Sequence, residues 1–181
     1  ILVSHFSSSE EISNIYNFSQ NMKFKTVLSL FKSIKYISLS NSAGILNNKE
    51  FHYNLTRPGI FLYGGYQNKR LKKILNIKPV IKLKAKILQI KTIGANEYIG
   101  YNQTYKTKKT IKVAILGIGY GDGIFRILSN KGEVYFKKKS FRIIGRISMD
   151  SMTINITNCK HKIVVGEYME IINEDNDIEV I

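Results

Sequence analysis

The chain has 181 residues, 44% of them hydrophobic, enough to bury a core in one domain or two small ones. No apolar run approaches the roughly 20 residues that span a bilayer, and the single cysteine, Cys159, excludes an internal disulfide. The net charge of +15 rests on 23 lysines and only 5 arginines; base reading and bidentate phosphate contacts favour arginine, so the balance argues against dedicated nucleic-acid recognition and leaves only salt-sensitive, nonspecific binding.

Residues 1–6 read as a short apolar strand that delivers His5 to its C-terminal end. Ser8 and Glu11 stand at capping-box spacing, and Ile12, Ile15, Tyr16 and Met22 recur near helical period, so a helix is predicted next. Residues 36–39 predict another strand, which ends at Ser40-Asn41-Ser42. Small hydroxyl and amide residues that open a helix cap it, and the free N–H groups there suit an anion. Residues 54–63 predict a strand interrupted by Arg57-Pro58-Gly59. Strand ends that present polar residues in turn, with helices between them, are the pattern of an α/β barrel. The stretch 67–78 is basic and polar, and a domain boundary is placed in it near Leu75.

Beyond Pro79 the period changes to two: Ile81, Leu83, Ala85 and Ile87 alternate with Lys82, Lys84 and Lys86. One face is buried and the other solvated. Further strands are predicted at 111–118, 133–136, 141–144, 148–156 and 162–172, which makes residues 76–181 an all-β domain, a small barrel or sandwich. Cys159 and His161 are too few for a metal site and read as ordinary loop. The absence of an initial Met and the abrupt end at IEVI suggest a piece of a longer protein.

Two motifs carry the chemistry. The strand at 111–118 runs into Gly119-Tyr120-Gly121-Asp122-Gly123, whose glycines hold the tyrosine and aspartate on a tight loop, with neither phosphate-loop nor dinucleotide spacing. About two dozen residues on, 145–150 read GRISMD. IGYGDG followed by GRISMD resembles the alanine racemases, enzymes that use pyridoxal 5'-phosphate (PLP) to interconvert L- and D-alanine. SHF at 4–6, SNSAGIL at 40–46 and TRPGIFLYG at 56–64 match the same family in the same order.

The resemblance implies the last part of a (β/α)8 barrel over residues 1–75, followed by a β domain over 76–181. It also implies site residues. Racemisation removes a proton from one face of Cα and delivers one to the other, so two bases are needed. Tyr120 matches the family's tyrosine base. A free phenol has a pKa of about 10, so a phenol acting as a base needs positive charge or donors nearby. Arg57 matches the arginine that faces the pyridine nitrogen, and His5 the histidine that packs on the ring. Asn41, Ser42, Gly59 and Ile60 complete the implied cofactor set, with Ser42 and the N–H groups of Gly59 and Ile60 as phosphate donors. The Met149 backbone N–H matches the donor to the substrate carboxylate, and Arg146 and Asp150 the active-site entrance. His52 matches nothing.

In the family the β domain of one subunit covers the barrel mouth of another, so a homodimer with sites completed in trans is implied, in a bacterial cytoplasm, supplying D-alanine for peptidoglycan. The family's PLP lysine lies in a motif resembling KANAYGHG, which these residues do not contain. Ser38 stands where many members have a histidine. These 181 residues are therefore expected to be inactive alone. Other readings are a different amino-acid racemase of this fold, an inactive remnant, and a basic β module that binds nucleic acid.

Overall fold

Leu2–Val3 (β1) and Ile37–Ser38 (β2) pair in parallel, Leu2 with Ile37 and Val3 with Ser38, and Ile15–Ser29 (α1) connects them. Parallel neighbours need such a crossover, so this is one β–α–β unit. The computed structural model describes residues 1–66 and 76–175. The chain divides into two units, Ile1–Val80 and Ile81–Asn176; the boundary predicted near Leu75 lies outside the described residues.

The helix starts later than the capping-box spacing predicts. Asn14 is the cap, its side chain accepting from Tyr16 N, while Ser8 and Glu11 close a turn through Glu11 N to Ser8 O at 3.1 Å. The helix also buries the opposite face from the one its apolar spacing suggests. Asn17, Asn21 and Phe24 are buried, and Ile15, Tyr16 and Met22 are exposed. Bonds at their amides offset part of the cost of burial: Asn17 Nδ2 donates to the Ser8 and Glu11 carbonyls, though its Oδ1 has no partner among the described residues, and Asn21 Oδ1 accepts from Tyr53 Oη at 2.6 Å. Phe6, Phe24, Leu39 and Phe51 form the core of this unit, with the Phe6 and Phe51 rings 4.8 Å apart.

No strand forms over residues 54–63. Leu55 N and Arg57 N bond to the carbonyls of Ile37 and Ser40, so the segment runs beside β2. Pro58 has no N–H to continue the pairing, and Ile60–Tyr63 turn into a 3-10 helix.

The second unit is a closed six-stranded antiparallel barrel. Its strands are Leu83–Ile93 (β3), Ile111–Leu116 (β6), Glu133–Phe136 (β7), Lys139–Ile144 (β8), Met152–Asn155 (β9) and Tyr168–Ile172 (β10). They close in the order β10-β3-β6-β9-β8-β7. Between the first two lies a short hairpin, Tyr98–Ile99 (β4) with Tyr105–Lys106 (β5), which the sequence reading misses. The alternation on β3 is as predicted: Ala85 and Ile87 are buried and the lysines between them face solvent. Inward side chains such as Ile87, Leu116, Val134, Ile154 and Met169 fill the interior. Residues 148–151, predicted as strand, form a loop instead, because Ser148 Oγ bonds Ser151 O at 2.8 Å and turns the chain on itself.

Candidate active site

In the first unit, several segments converge on the end of the β1–β2 pair. Asn41 caps Ser42–Asn47 (α2) by accepting from Gly44 N at 2.9 Å. Arg57 reaches back across the strand ends: Nη1 donates to Ser38 Oγ, and Nη2 donates to Ser4 O at 2.6 Å and lies 3.3 Å from His5 Nδ1. His5 Nε2 lies 3.1 Å from Asn41 Nδ2. Gly59 N donates to Ser42 Oγ at 2.8 Å, so the Gly59 N–H predicted as an anion donor is engaged by the serine, because the 57–60 turn folds back onto the first residue of α2. The Ser42 hydroxyl proton and the Ile60 N–H have no acceptor among the described residues. A Cβ on Gly59 would meet nothing nearer than Ser42 Oγ at 3.8 Å, so that side of the turn is open. His5, Asn41, Ser42, Arg57, Gly59 and Ile60 therefore form one polar cradle.

His52 lies apart from this cluster, and its Nε2–H donates to the Ile45 carbonyl at 2.6 Å. Ser4, Ser9 and Ser38 are cradle residues that sequence reasoning does not assign to it. Ser38 bears on it through Arg57. Ser9 is fully buried and bonds Asn41 Oδ1, a role that a run of three serines gives no sign of.

In the second unit, the two glycine-bounded motifs interlock. Tyr120 N donates to Ser148 O at 3.0 Å and Gly121 N to Met149 O at 2.9 Å. Gly119 makes this possible: a Cβ there would stand 2.3 Å from both the Ser148 and Met149 carbonyl oxygens. Asp122 serves its own loop, with Oδ2 accepting from Gly119 N at 2.9 Å. The Tyr120 side chain is half exposed, with the Arg126 guanidinium 5.4 Å from its ring centroid and no hydrogen bond to its hydroxyl among the described residues. The Met149 N–H is likewise without a partner there, so the two groups stand on adjoining turns of a rigid double loop. Arg146 lines a cleft of about 420 Å³ with Tyr101, Ser148, Ser151 and Thr153, and Asp150 is exposed. No cluster of metal-binding side chains occurs among the described residues.

The family model described as "Alanine racemase, C-terminal domain" matches residues 80–181, and "Alanine racemase, N-terminal domain" matches residues 1–67. The chain belongs to the alanine racemase family. Among curated relatives, the alanine racemases of Rickettsia rickettsii (strain Sheila Smith) and Rickettsia canadensis (strain McKiel) are 40% and 41% identical over 174 residues, 94% of this chain. The chain spans about half the length of the curated relatives it matches, 46% in both cases. Among solved structures, the alanine racemase of Bartonella henselae with covalently bound pyridoxal phosphate superposes with a TM-score of 0.87 at 37% identity, over 98% of this chain and 49% of that one. That of E. faecalis gives 0.85 at 30% identity, over 98% and 48%. The six cradle residues fall within the match to the family's N-terminal domain, and Tyr120, Arg146, Met149 and Asp150 within the match to its C-terminal domain.

Proposed function

We propose that this chain forms the later part of a PLP-dependent alanine racemase that interconverts L- and D-alanine by a two-base mechanism in the bacterial cytoplasm and supplies D-alanine for peptidoglycan. The β1–α1–β2 unit belongs in this reading to a (β/α)8 barrel, and the six-stranded barrel is the domain that completes the site of a second copy in a homodimer. The observation that carries it is the double loop, in which Gly119 lets the backbone of Tyr120 and Gly121 bond directly to that of Ser148 and Met149.

The donor set of the cradle fits PLP. The Ser42 hydroxyl and the Ile60 N–H are unpaired donors, among the described residues, beside an open turn at Gly59, suited to a phosphate. Arg57 keeps N–H groups beyond those given to Ser4 and Ser38, and a permanently charged guanidinium donating to a pyridine nitrogen keeps that nitrogen unprotonated. When bound, the cofactor acidifies the substrate Cα–H by delocalising the charge left on carbon. Tyr120 then takes or returns a proton on one face of Cα, and the Met149 N–H holds the carboxylate so that Cα stays in register with the phenol oxygen. Arg146 and Asp150 set the charge at the entrance. The second base is the lysine of the family's other half.

The test is isotope exchange in the enzyme isolated from its source. Tyr120→Phe should abolish deuterium exchange at Cα of L-alanine and largely spare exchange from D-alanine. Equal loss from both enantiomers would remove Tyr120 from the one-sided role assigned to it.

A further inference from the structure

Two side chains, Asn41 and Arg57, meet the His5 ring from opposite sides, and their other bonds bear on where its ring proton sits. Asn41 Oδ1 accepts two hydrogen bonds, from Ser9 Oγ at 2.7 Å and from Gly44 N at 2.9 Å. Turning the amide over would set its NH2 group against the Gly44 N–H, which can only donate, so the orientation of the amide is fixed by its neighbours. Asn41 Nδ2 therefore points its donor at His5 Nε2, 3.1 Å away. On the other side of the ring a second donor, Arg57 Nη2, lies 3.3 Å from Nδ1.

A neutral imidazole has one N–H and one acceptor nitrogen. Two donors thus compete for a single lone pair, and they differ in what else they hold. Arg57 Nη2 already donates to the Ser4 carbonyl at 2.6 Å. Asn41 Nδ2 has no acceptor but His5 among the described residues. The amide makes the shorter contact, 3.1 Å against 3.3 Å, and has no other acceptor there, whereas the guanidinium nitrogen is already bonded, so the lone pair goes to the amide.

We propose that Asn41 is a positioning residue that holds His5 as the Nδ1–H tautomer, with Nε2 as its acceptor. Arg57 then takes no lone pair from His5. It is anchored by the Ser4 carbonyl and the Ser38 hydroxyl alone, and its remaining N–H groups face whatever the cradle binds. The bearing of this on a cofactor rests on the function proposed above; the tautomer itself does not.

The experiment is long-range proton–nitrogen NMR of the imidazoles in the nitrogen-15-labelled enzyme without added PLP, where His5 is one of three histidines in these 181 residues and is assigned by the loss of its signals in His5→Gln. The wild type should show the Nδ1–H pattern. Asn41→Asp keeps an oxygen for Ser9 and Gly44 and offers a second one to Nε2–H, so the pattern should invert to Nε2–H and release Nδ1 to Arg57. Arg57→Met, which removes the competing donor, should leave the wild-type pattern in place. A wild type already in the Nε2–H form, the same tautomer in wild type and Asn41→Asp, or a switch on Arg57→Met would each overturn the proposal. The wild-type and Arg57→Met spectra decide the matter even if Asn41→Asp does not fold. Failure of PLP to bind would count against the proposed function and leave these spectra unchanged.

Discussion

At the scale of single residues, the candidate site depends on side chains that are absent as much as on those present. Gly119→Ala places a methyl 2.3 Å from two carbonyl oxygens that belong to backbone and have nowhere to retreat. The expected loss is about 1–3 kcal/mol, the range for overpacking, and the proposed racemase activity should fall with it as the double loop parts. A thermal melt together with turnover checks this, and a Gly119→Ala enzyme of wild-type stability and rate would show that the close approach is dispensable. Tyr120, Met149 and Arg57 stand out in the sequence as candidates because they sit in motifs whose order and spacing match a family. The Ser9–Asn41–His5 bonds were not, because a hydrogen-bond network joins residues 32 and 36 positions apart that no local pattern links.

At the scale of elements, period proved easier to read than direction. The two-residue alternation of β3 gave the correct inward face, since its outward positions are lysines that no core would accept unpaired. The 3.6-residue period of α1 was also correct, yet its buried face carries Asn17 and Asn21, whose burial depends on Ser8, Glu11 and Tyr53. Apolar spacing has no access to those partners. Between β3 and β10, Lys84 Nζ stands 3.1 Å from Glu170 Oε1. The hydrogen bond from Lys84 first, and that from Asn173 after it, hold the Glu170 carboxyl below its ordinary value of 4.5 in spite of partial burial. A carboxyl depressed in the folded state stabilises above its unfolded pKa, and that stabilisation is lost as pH falls through the lower folded value. Glu170→Gln should therefore leave a flatter loss of stability below about pH 4.5 than the wild type shows. Parallel acid-unfolding curves for the two proteins would remove the ion pair from the account. Lys82 and Glu174, an ion pair at 2.7 Å whose side chains are mostly exposed, add little by comparison because solvent screens them.

At the scale of the whole molecule, the two units differ in how complete each is. The barrel closes on itself, so all six of its strands have two neighbours and its core is continuous. The first unit has a two-stranded sheet, a core of four buried residues and a helix with Ile15, Tyr16 and Met22 turned outward. Limited proteolysis should accordingly cut within residues 1–80 first and leave a resistant product that begins near Ile81. Mass spectrometry of the early digest decides it: initial cuts inside β3, β6 or β9 would place the weaker structure in the barrel. The all-β half was the more legible of the two for the same reason, because its alternating pattern is satisfied within its own sequence.

The close approach at Gly119 has a bearing on drug resistance. The groups that hold the double loop, and the Met149 N–H beside Tyr120, are main-chain atoms. A codon change at position 148 or 149 alters a side chain and leaves those atoms where they are. An inhibitor that anchors itself on the Met149 amide would thus meet few single-step escapes at that contact, since the nearby change that moves the backbone, at Gly119, also parts the double loop.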